Sequence, residues 1–314
     1  MIIKSAAKKD ADTGKLKELL AKPGLSEVTR EKIQSEIRMV NAGAAGEAEA
    51  AYEINFNFGA SDNWAVIHDL RIEHAGRVAQ IDHLLIGRTL DVWVLETKRF
   101  SDGIGINSSG ECVMFWNGRP KGIASPHEQN ERHIAVLKAV FRGGAVDLPR
   151  RLGMVISPEL KGLVVVSKGA RISRPKEKGW WTNDLVKADQ LKSRIFNSDG
   201  DSPFGLAKLV SSQTISDLAK QLASLHSPIS IDWERKFGID TPSPAQAKPE
   251  EIASPPVKLF AKVPADHAKG KPCKKCGAGV DARVAAFCRF NKSRFGGEVY
   301  CMACQPAAAG RPTA

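Results

Sequence analysis

Asp82 and the tripeptide Glu96-Thr97-Lys98 combine two carboxylates and an ammonium group at a spacing that suits phosphodiester hydrolysis. Two carboxylates can hold a divalent cation such as Mg²⁺ or Mn²⁺, which lowers the pKa of an attacking water. Lys98 can orient that water or stabilise the charge that builds on the phosphate. These residue types therefore raise the hypothesis of a metal-dependent nuclease.

The segments that carry these residues have the composition of β-strands. Residues 78–86 and 91–99 are rich in Val, Ile, Leu and Trp and contain no Pro. A short turn that begins at Gly87 separates them. The pattern predicts two strands that pair antiparallel.

Alternation along the strands predicts where the charges point. Glu96 and Lys98 are expected on the face of Val94, and Asp82 on the face of Leu84, because alternate residues of a strand share a face. A charge inside an apolar row is destabilising unless it is paired. A structural ion pair of Lys98 with Glu96 or Asp82 is one explanation, and a bound metal is the other.

Further motifs accompany the pair of strands in a fixed order. They are GAAGE at 43–47, IDHLLIG at 81–87, VWVLETK at 92–98, glycines at 103 and 105, Trp116, PHEQ at 126–129 and His133. Their order and spacing resemble the nuclease-related domain (NERD) family, a branch of the PD-(D/E)xK nucleases. The resemblance covers residues 40–145 and extends more faintly to about 195. It departs from the family at Ser125, where an Asn usually precedes the Pro.

The resemblance implies an α/β fold of the restriction-endonuclease type, with a mixed sheet flanked by helices. It also implies that Asp82 and Glu96 bind Mg²⁺ or Mn²⁺ and that Lys98 is catalytic. Glu47 would be a further acidic residue facing the metal, with Glu49 as a less favoured substitute. From the residues alone, Glu47 lies in the first turn of a short predicted helix at 46–58, where a carboxylate can simply complement the helix dipole.

Gln129 belongs to a helix whose start is well marked. Ser125 is the predicted N-cap, Pro126 the first helical residue, and Glu128 completes a capping box. His133 follows Gln129 by one turn and shares its face. The pair is expected to point inward, either as satisfied core residues or with Gln129 positioning the scissile phosphate or the water.

Four cysteines near the C-terminus form a second motif. Cys273 and Cys276, and then Cys301 and Cys304, are two pairs with two-residue spacers, which match tetrahedral Zn²⁺ coordination. Disulfides are the alternative, but residues 1–15 lack the apolar run of a secretory signal. Cys288 is expected to be a packed strand residue. The segment resembles the zinc domain appended to some NERD proteins and, more loosely, the zinc ribbons of topoisomerase tails.

Basic residues surround these cysteines and alternate with Phe287, Phe290 and Phe295. The candidates for nucleic-acid binding are Lys274, Lys275, Arg289, Lys292 and Arg294. Cations neutralise phosphates and aromatic rings stack on bases, so this composition favours a nucleic-acid partner. The formal net charge of +11 also favours a polyanionic partner such as nucleic acid.

Shifts in composition predict the organisation of the chain. The expected parts are an N-terminal helical segment at 1–40, a nuclease domain at 41–226, a flexible linker at 227–270, a zinc ribbon at 271–306 and a disordered tail at 307–314. No apolar stretch has the length of a membrane span, so a cytoplasmic protein without a membrane partner is expected. The sequence leaves open whether the protein forms a homodimer that cuts both strands.

Two functions compete at this point. The first is a DNA endonuclease or nickase that uses Mg²⁺ or Mn²⁺ and captures its substrate with the zinc ribbon. The second is a non-catalytic nucleic-acid-binding or adaptor protein that keeps the fold. The joint presence of Asp82, Glu96, Lys98, Glu47 and Gln129 favours the first, because clustered carboxylates repel one another without a cation.

Overall fold

A computed structural model describes most of the chain. The described residues are 1–6, 10–198, 208–239, 272–280, 282–290 and 295–305. The chain divides after Pro242 into two compact units.

The elements follow one another in a mixed order of helices and strands. The helices are α1 (Asp10–Leu20), α2 (Glu27–Ile54), α3 (Pro126–Arg142), α4 (Trp180–Asn183), α5 (Leu191–Ser198), α6 (Ser212–Ser224), α7 (Trp233–Phe237) and α8 (Ala282–Phe290). The strands are β1 (Ile2–Lys4), β2 (Trp64–His74), β3 (Arg77–Gly87), β4 (Asp91–Lys98), β5 (Ile104–Ile106), β6 (Cys112–Trp116), β7 (Arg119–Ile123), β8 (Arg150–Arg151), β9 (Met154–Val155), β10 (Glu159–Val166), β11 (Ile172–Ser173) and β12 (Leu185–Lys187).

A mixed sheet forms the centre of the first unit. Among the described residues its strand order is β1-β2-β3-β4-β10-β12. The hairpin of β3 and β4 is antiparallel, with Leu84 opposite Val94, which confirms the predicted pairing. Strand β10 runs parallel to β4, so β4 lies inside the sheet. A smaller sheet has the order β11-β5-β6-β7.

Helices cover both faces of the large sheet. Ile134 and Leu137 of α3 and Ile215 of α6 pack against one face. Ile54 of α2 and Leu191 of α5 pack against the other. The predicted fold class, a mixed α/β sheet flanked by helices, is therefore confirmed.

Helix α2 corrects one expectation from the sequence. Ser26 caps its start by accepting a hydrogen bond from the Thr29 amide, but the helix does not stop near residue 40. It continues to Ile54 and ends in a π-helical turn, Asn55–Gly59. The separate helix predicted at 46–58 is thus wrong, because buried side chains such as Ala50 and Ile54 stabilise the continuation despite two glycines.

The segment after residue 226 also differs from the prediction. Residues 227–239 were assigned to a flexible linker, yet they include α7. Trp233 is only 4% exposed and packs with Leu16, Leu19 and Ile33 of the first two helices. Its indole nitrogen donates to Asp12 Oδ1 at 3.1 Å. Phe237 and Ile239 pack against the same cluster, and the ion pairs Lys22–Glu234 and Lys236–Glu36 add to the attachment. Residues 240–270 of the predicted linker lie outside the described residues.

The second unit has a small core of its own. Cys273, Val280, Ala285 and Val299 are buried together. Cys288 is fully buried but lies on α8, so its predicted strand is wrong. The predicted tail at 307–314 lies outside the described residues. In the parts of the chain that the structure describes, no helix has both the length and the apolar character needed to cross a membrane.

Candidate active site

Asp82 lies at an irregular step of β3. Ile81 and Leu84 pack in the same core cluster, although strict alternation would put them on opposite faces. On the neighbouring strand Asp69 has a left-handed backbone, with φ of 53°. The alternation on which the expected face of Asp82 depended therefore does not hold at this step.

A backbone contact fixes the Asp82 side chain beside β4. Its Oδ2 accepts a hydrogen bond from the Thr97 amide at 2.7 Å. The paired register ends with His83 opposite Leu95, one residue from each carboxylate. The charge of Glu96 acts on Asp82, so the structure brings the two predicted carboxylates close together.

Glu96 is the most buried member of the group, with 2% exposure. Its Oε1 lies 2.5 Å from Lys98 Nζ, as expected for residues two apart on a strand. Its Oε2 lies 3.6 Å from His133 Nε2 on α3. Glu96 therefore lies between an ammonium group and an imidazole.

Helix α2 brings Glu47 to the same region. A Cβ at position 46 would lie 2.9 Å from Arg99 Cβ, so only glycine permits this approach to the end of β4. Glu47 is half-buried, and its charge acts on both Asp82 and Glu96. Since Glu47 lies in the middle of α2, the alternative role at a helix N-terminus is wrong. Glu49 instead accepts a hydrogen bond from the Lys168 amide at 2.8 Å.

The electrostatics of the three carboxylates favour a bound cation. Burial, followed by the charges of Glu96 and Glu47, raises the pKa of Asp82 to about 8. Burial also raises the pKa of Glu96, although Lys98 opposes the shift. Lys98 and Arg132 both lower the pKa of Glu96, but burial outweighs them. Hard carboxylate oxygens in such a place are the donors that Mg²⁺ and Mn²⁺ take, so the donor set fits.

Two polar residues of helix α3, Asn130 and His133, face β4. Ser125 caps it by accepting from the Glu128 amide at 3.3 Å, as predicted. Gln129 is half-buried one turn before His133, which is 9% exposed. The next residue, Asn130, was not anticipated from the sequence and is 2% exposed.

Asn130 fastens α3 to the sheet. Its Nδ2 donates to the carbonyl oxygens of Val94 at 2.9 Å and Leu163 at 3.3 Å. Gly162 leaves the space for this amide, because a Cβ there would lie 3.0 Å from Nδ2. The sequence indicates this role only through the position of Asn130, which lies four residues before Ile134 on the apolar stripe of the helix.

His133 has a defined tautomer. Its Nδ1 accepts a hydrogen bond from the Gln80 amide at 3.1 Å, so the proton of the neutral ring lies on Nε2, toward Glu96. Burial, followed by the charges of Lys98 and Arg132, lowers the pKa of His133 to about 4. The ring is neutral near pH 7, and its Nε2 lies 3.6 Å from Glu96 Oε2, beyond hydrogen-bond distance.

A buried histidine pair lies beside Asp82. His68 donates from Nε2 to Asn55 Oδ1 at 3.0 Å, so its Nδ1 accepts from His83 Nδ1 at 2.7 Å. Burial lowers the pKa of His68 to about 4. The pair links the π-helical turn to the irregular step of the hairpin.

The four predicted zinc ligands lie together in the second unit. The Sγ atoms of Cys273, Cys276, Cys301 and Cys304 are all within 4.8 Å of one another. The Cys276 and Cys301 sulfurs are 3.6 Å apart, close to the roughly 3.8 Å that Zn–S bonds of about 2.3 Å give in a tetrahedron. The set fits Zn²⁺. The Sγ of Cys288 instead accepts from the Tyr300 amide at 3.5 Å.

The basic residues of the second unit are only partly described. Lys275 and Arg289 are exposed, and Lys274 forms an ion pair of 3.3 Å with Glu298. Of the neighbouring rings, Phe287 is 48% exposed while Phe295 is buried. Lys292 and Arg294 lie outside the described residues.

Comparison with known protein families agrees with this geometry. The family described as the nuclease-related domain matches residues 42–167, which span α2 from the turn before Glu47, the hairpin, α3 and β10. Residues 42–167 are a nuclease-related domain. Neither the curated proteins nor the solved structures provide a match to the chain. The domain contains every residue proposed for the carboxylate site, and its family points to a nuclease-related function.

Proposed function

We propose that the chain hydrolyses phosphodiester bonds of nucleic acid, as a Mg²⁺- or Mn²⁺-dependent DNA endonuclease or nickase. The observation that carries the proposal is the meeting of Asp82, Glu96, Glu47 and Lys98 at one end of β4 inside a nuclease-related domain. DNA is proposed over RNA as the substrate, and the assays below include both.

The two strand carboxylates would hold the ion. A Mg²⁺ or Mn²⁺ ion bound by Asp82 and Glu96 would polarise a phosphoryl oxygen and lower the pKa of the attacking water. Glu47 would add negative charge from α2 and strengthen cation binding.

The neighbouring groups position the reactants. Lys98 Nζ, held 2.5 Å from Glu96, can donate to the water or to a phosphate oxygen as negative charge develops. The Nε2 of His133 lies 3.6 Å from Glu96 Oε2, and a shorter contact in the substrate complex would favour the ionised form of Glu96. Gln129, on the same face of α3, is proposed to position the scissile phosphate.

The second unit would capture the substrate. A Zn²⁺ ion on the four cysteines would stabilise this small domain, and Lys274, Lys275 and Arg289 would contact phosphates. Tethering such a module raises the effective concentration of nucleic acid at the nuclease-related domain. Pairing of two chains would allow both strands to be cut.

One observation favours the second candidate, a non-catalytic nucleic-acid-binding protein. The Lys98–Glu96 ion pair neutralises one carboxylate without a metal. A purely structural role for this pair would leave binding but no chemistry.

Cleavage assays with matched variants test the proposal. The purified chain is incubated with supercoiled, linear, single-stranded and branched DNA, and with RNA, in Mg²⁺, Mn²⁺ or no divalent ion. Asp82→Asn, Glu96→Gln and Lys98→Met should each lower metal-dependent cleavage by about 100-fold or more, because each removes a ligand or a charge-stabilising donor.

Glu49→Gln is the matched control, since Glu49 lies two residues from Glu47 but contacts the Lys168 amide. Its cleavage should equal that of the parent, whereas Glu47→Gln should cleave less. Equal cleavage by the parent and all three site variants would refute the site. Binding by the parent without cleavage in either metal would support the adaptor function instead.

A further inference from the structure

Strands β6 and β7 form an exposed hairpin next to the candidate active site. Its tip is Asn117-Gly118, with φ of 49° and 72°, the left-handed pair that a two-residue hairpin turn requires. Trp116 at the tip is 55% exposed. A large aromatic ring in this position contributes little to the core.

The strand register places cations beside this ring. Trp116 pairs with Arg119, and Met114 pairs with Lys121. Residues directly opposite and two apart share a face, so all four lie on one side of the hairpin. Arg119 and Lys121 are both exposed. An aromatic ring with cations alongside is the composition that binds single-stranded nucleic acid, by stacking on a base and neutralising phosphates.

The hairpin is held firmly to the segment that leaves the candidate site. The Gly118 amide donates to Asp102 Oδ2 at 3.2 Å, and the Phe115 amide donates to the Gly103 carbonyl at 3.1 Å. On the opposite face, the Arg171 guanidinium lies 5.5 Å from the Phe115 ring centroid. Asp102 is four residues after Lys98, so the chain places it within about 14 Å of that lysine. A single strand of substrate can therefore contact both the hairpin and the candidate active site.

A cleft of about 870 Å³ continues the same face at the base of the hairpin. Cys112 and Ile123, which pair across the hairpin, line it together with Trp180. Trp180 stacks on His127 in the first turn of α3, with ring centroids 4.7 Å apart. The same helix carries His133, which lies beside Glu96, less than two turns later, so α3 connects the cleft to the candidate site.

Charge sets the orientation of a bound strand. Glu111 and Glu128 also line the cleft and would repel phosphates, but their carboxylates can accept hydrogen bonds from base amino groups. The cations lie outside the cleft, on the hairpin. Bases would therefore face the cleft and Trp116, while phosphates would follow Arg119 and Lys121.

We infer that the β6–β7 hairpin and its cleft hold an unpaired stretch of the nucleic-acid substrate. The inference rests on the proposed function and specifies its substrate as single-stranded or locally unpaired nucleic acid. A fully paired duplex keeps its bases stacked and offers no free face to Trp116.

Binding without cleavage tests the inference. The full chain, without added Mg²⁺ or Mn²⁺, is titrated into fluorescently labelled single-stranded DNA, single-stranded RNA and duplex DNA, and anisotropy is recorded. Trp116→Ala should weaken single-strand binding by about 5- to 100-fold, the range of one lost base stack, and leave duplex binding unchanged. Trp116→Phe should bind nearly as well as the parent because it keeps an aromatic face.

The cations and a second hairpin provide controls. The double variant Arg119→Ala/Lys121→Ala should lower the slope of log affinity against log salt on single strands by about 1.4. Leu152→Ala changes a side chain that is 91% exposed in the turn between β8 and β9, and should bind like the parent.

These outcomes distinguish a failure of the hairpin inference from a failure of the proposed phosphodiesterase function. Unchanged single-strand binding by Trp116→Ala overturns the inference, even if the parent cleaves DNA. An equal loss on duplex and single strands also overturns it. Weaker single-strand binding by Trp116→Ala, rescued by Phe, supports the hairpin role even if cleavage assays refute the phosphodiesterase site.

Discussion

At the scale of single residues, the site is defined by three neighbouring carboxylates. Asp82 accepts one backbone hydrogen bond, yet burial and the charges of Glu96 and Glu47 outweigh that contact and raise its pKa to about 8. Lys98 is engaged with Glu96. An asparagine could accept the same hydrogen bond without this electrostatic cost, which a bound cation would lower for Asp82.

The raised pKa of Asp82 gives the stability of the protein a pH dependence with a definite sign. When a carboxyl has a higher pKa in the folded than in the unfolded chain, the folded state holds more protons, and stability falls as pH rises toward the folded value. Asp82 should therefore lower stability by on the order of 1 kcal/mol between pH 6.5 and 8 when no divalent ion is added. Urea unfolding of the parent and of Asp82→Asn across this range measures the difference.

Two buried histidines also contribute in this pH window. His68 and His133 have pKa values lowered to about 4, so each raises stability by roughly 0.4 kcal/mol between pH 6.5 and 8, as the last protons leave the unfolded chain. This rise is common to the parent and to Asp82→Asn, so it cancels in the difference between them. Asp82→Asn should lose the decline, and millimolar Mg²⁺ should stabilise the parent but not the variant. An identical decline in both proteins would show that Asp82 is not its source.

At the scale of elements, the position of Glu47 depends on how closely α2 approaches the end of β4. Gly46 makes this contact, because any Cβ there would lie 2.9 Å from Arg99 Cβ. Gly43, one turn earlier on the same helix, has no atom within 4 Å of the place of a Cβ. The two glycines therefore provide a matched pair.

Alanine at these two positions should have opposite effects. Gly43→Ala should stabilise the protein by up to about 1 kcal/mol, because alanine favours the helix and meets no neighbour. Gly46→Ala should gain nothing or destabilise, since α2 must shift away from Arg99, and the shift would displace Glu47. Chemical unfolding measures the first effect and metal-dependent cleavage the second. Equal stabilisation by both substitutions would mean that the close contact does not constrain the helix.

Local sequence patterns predicted the helices and strands around the site better than they predicted how those elements pack against one another. The hairpin of β3 and β4 and the start of α3 at Ser125 follow from strand composition and capping, which are local properties. The continuation of α2 past Gly46 depends on the burial of Ala50 and Ile54 against strands that are distant in sequence. Asn130 was missed for the same reason, since its carbonyl partners belong to two other strands.

At the scale of the whole molecule, the chain consists of two units with separate cores. The first unit includes α7, whose Trp233 packs on the N-terminal helices, so its folded part extends to at least residue 239 rather than 226. Among its described residues, the second unit has a core of few apolar residues around four cysteines. A metal ion on these cysteines would stabilise such a core.

Truncation after Pro242 tests the role of the second unit. The full chain should contain one Zn²⁺, measured by elemental analysis, and the truncated chain none, because the four cysteines form the only all-cysteine cluster among the described residues. The truncated protein should keep the thermal unfolding transition of the first unit, since Trp233 is retained. It should cleave at saturating DNA but bind more weakly. The slope of log affinity against log salt should be shallower by about 2 to 3 if Lys274, Lys275 and Arg289 contact phosphates.

Alanine at these three positions in the full chain should reproduce the change in slope. Unchanged affinity and slope after truncation would instead assign the second unit to a protein partner.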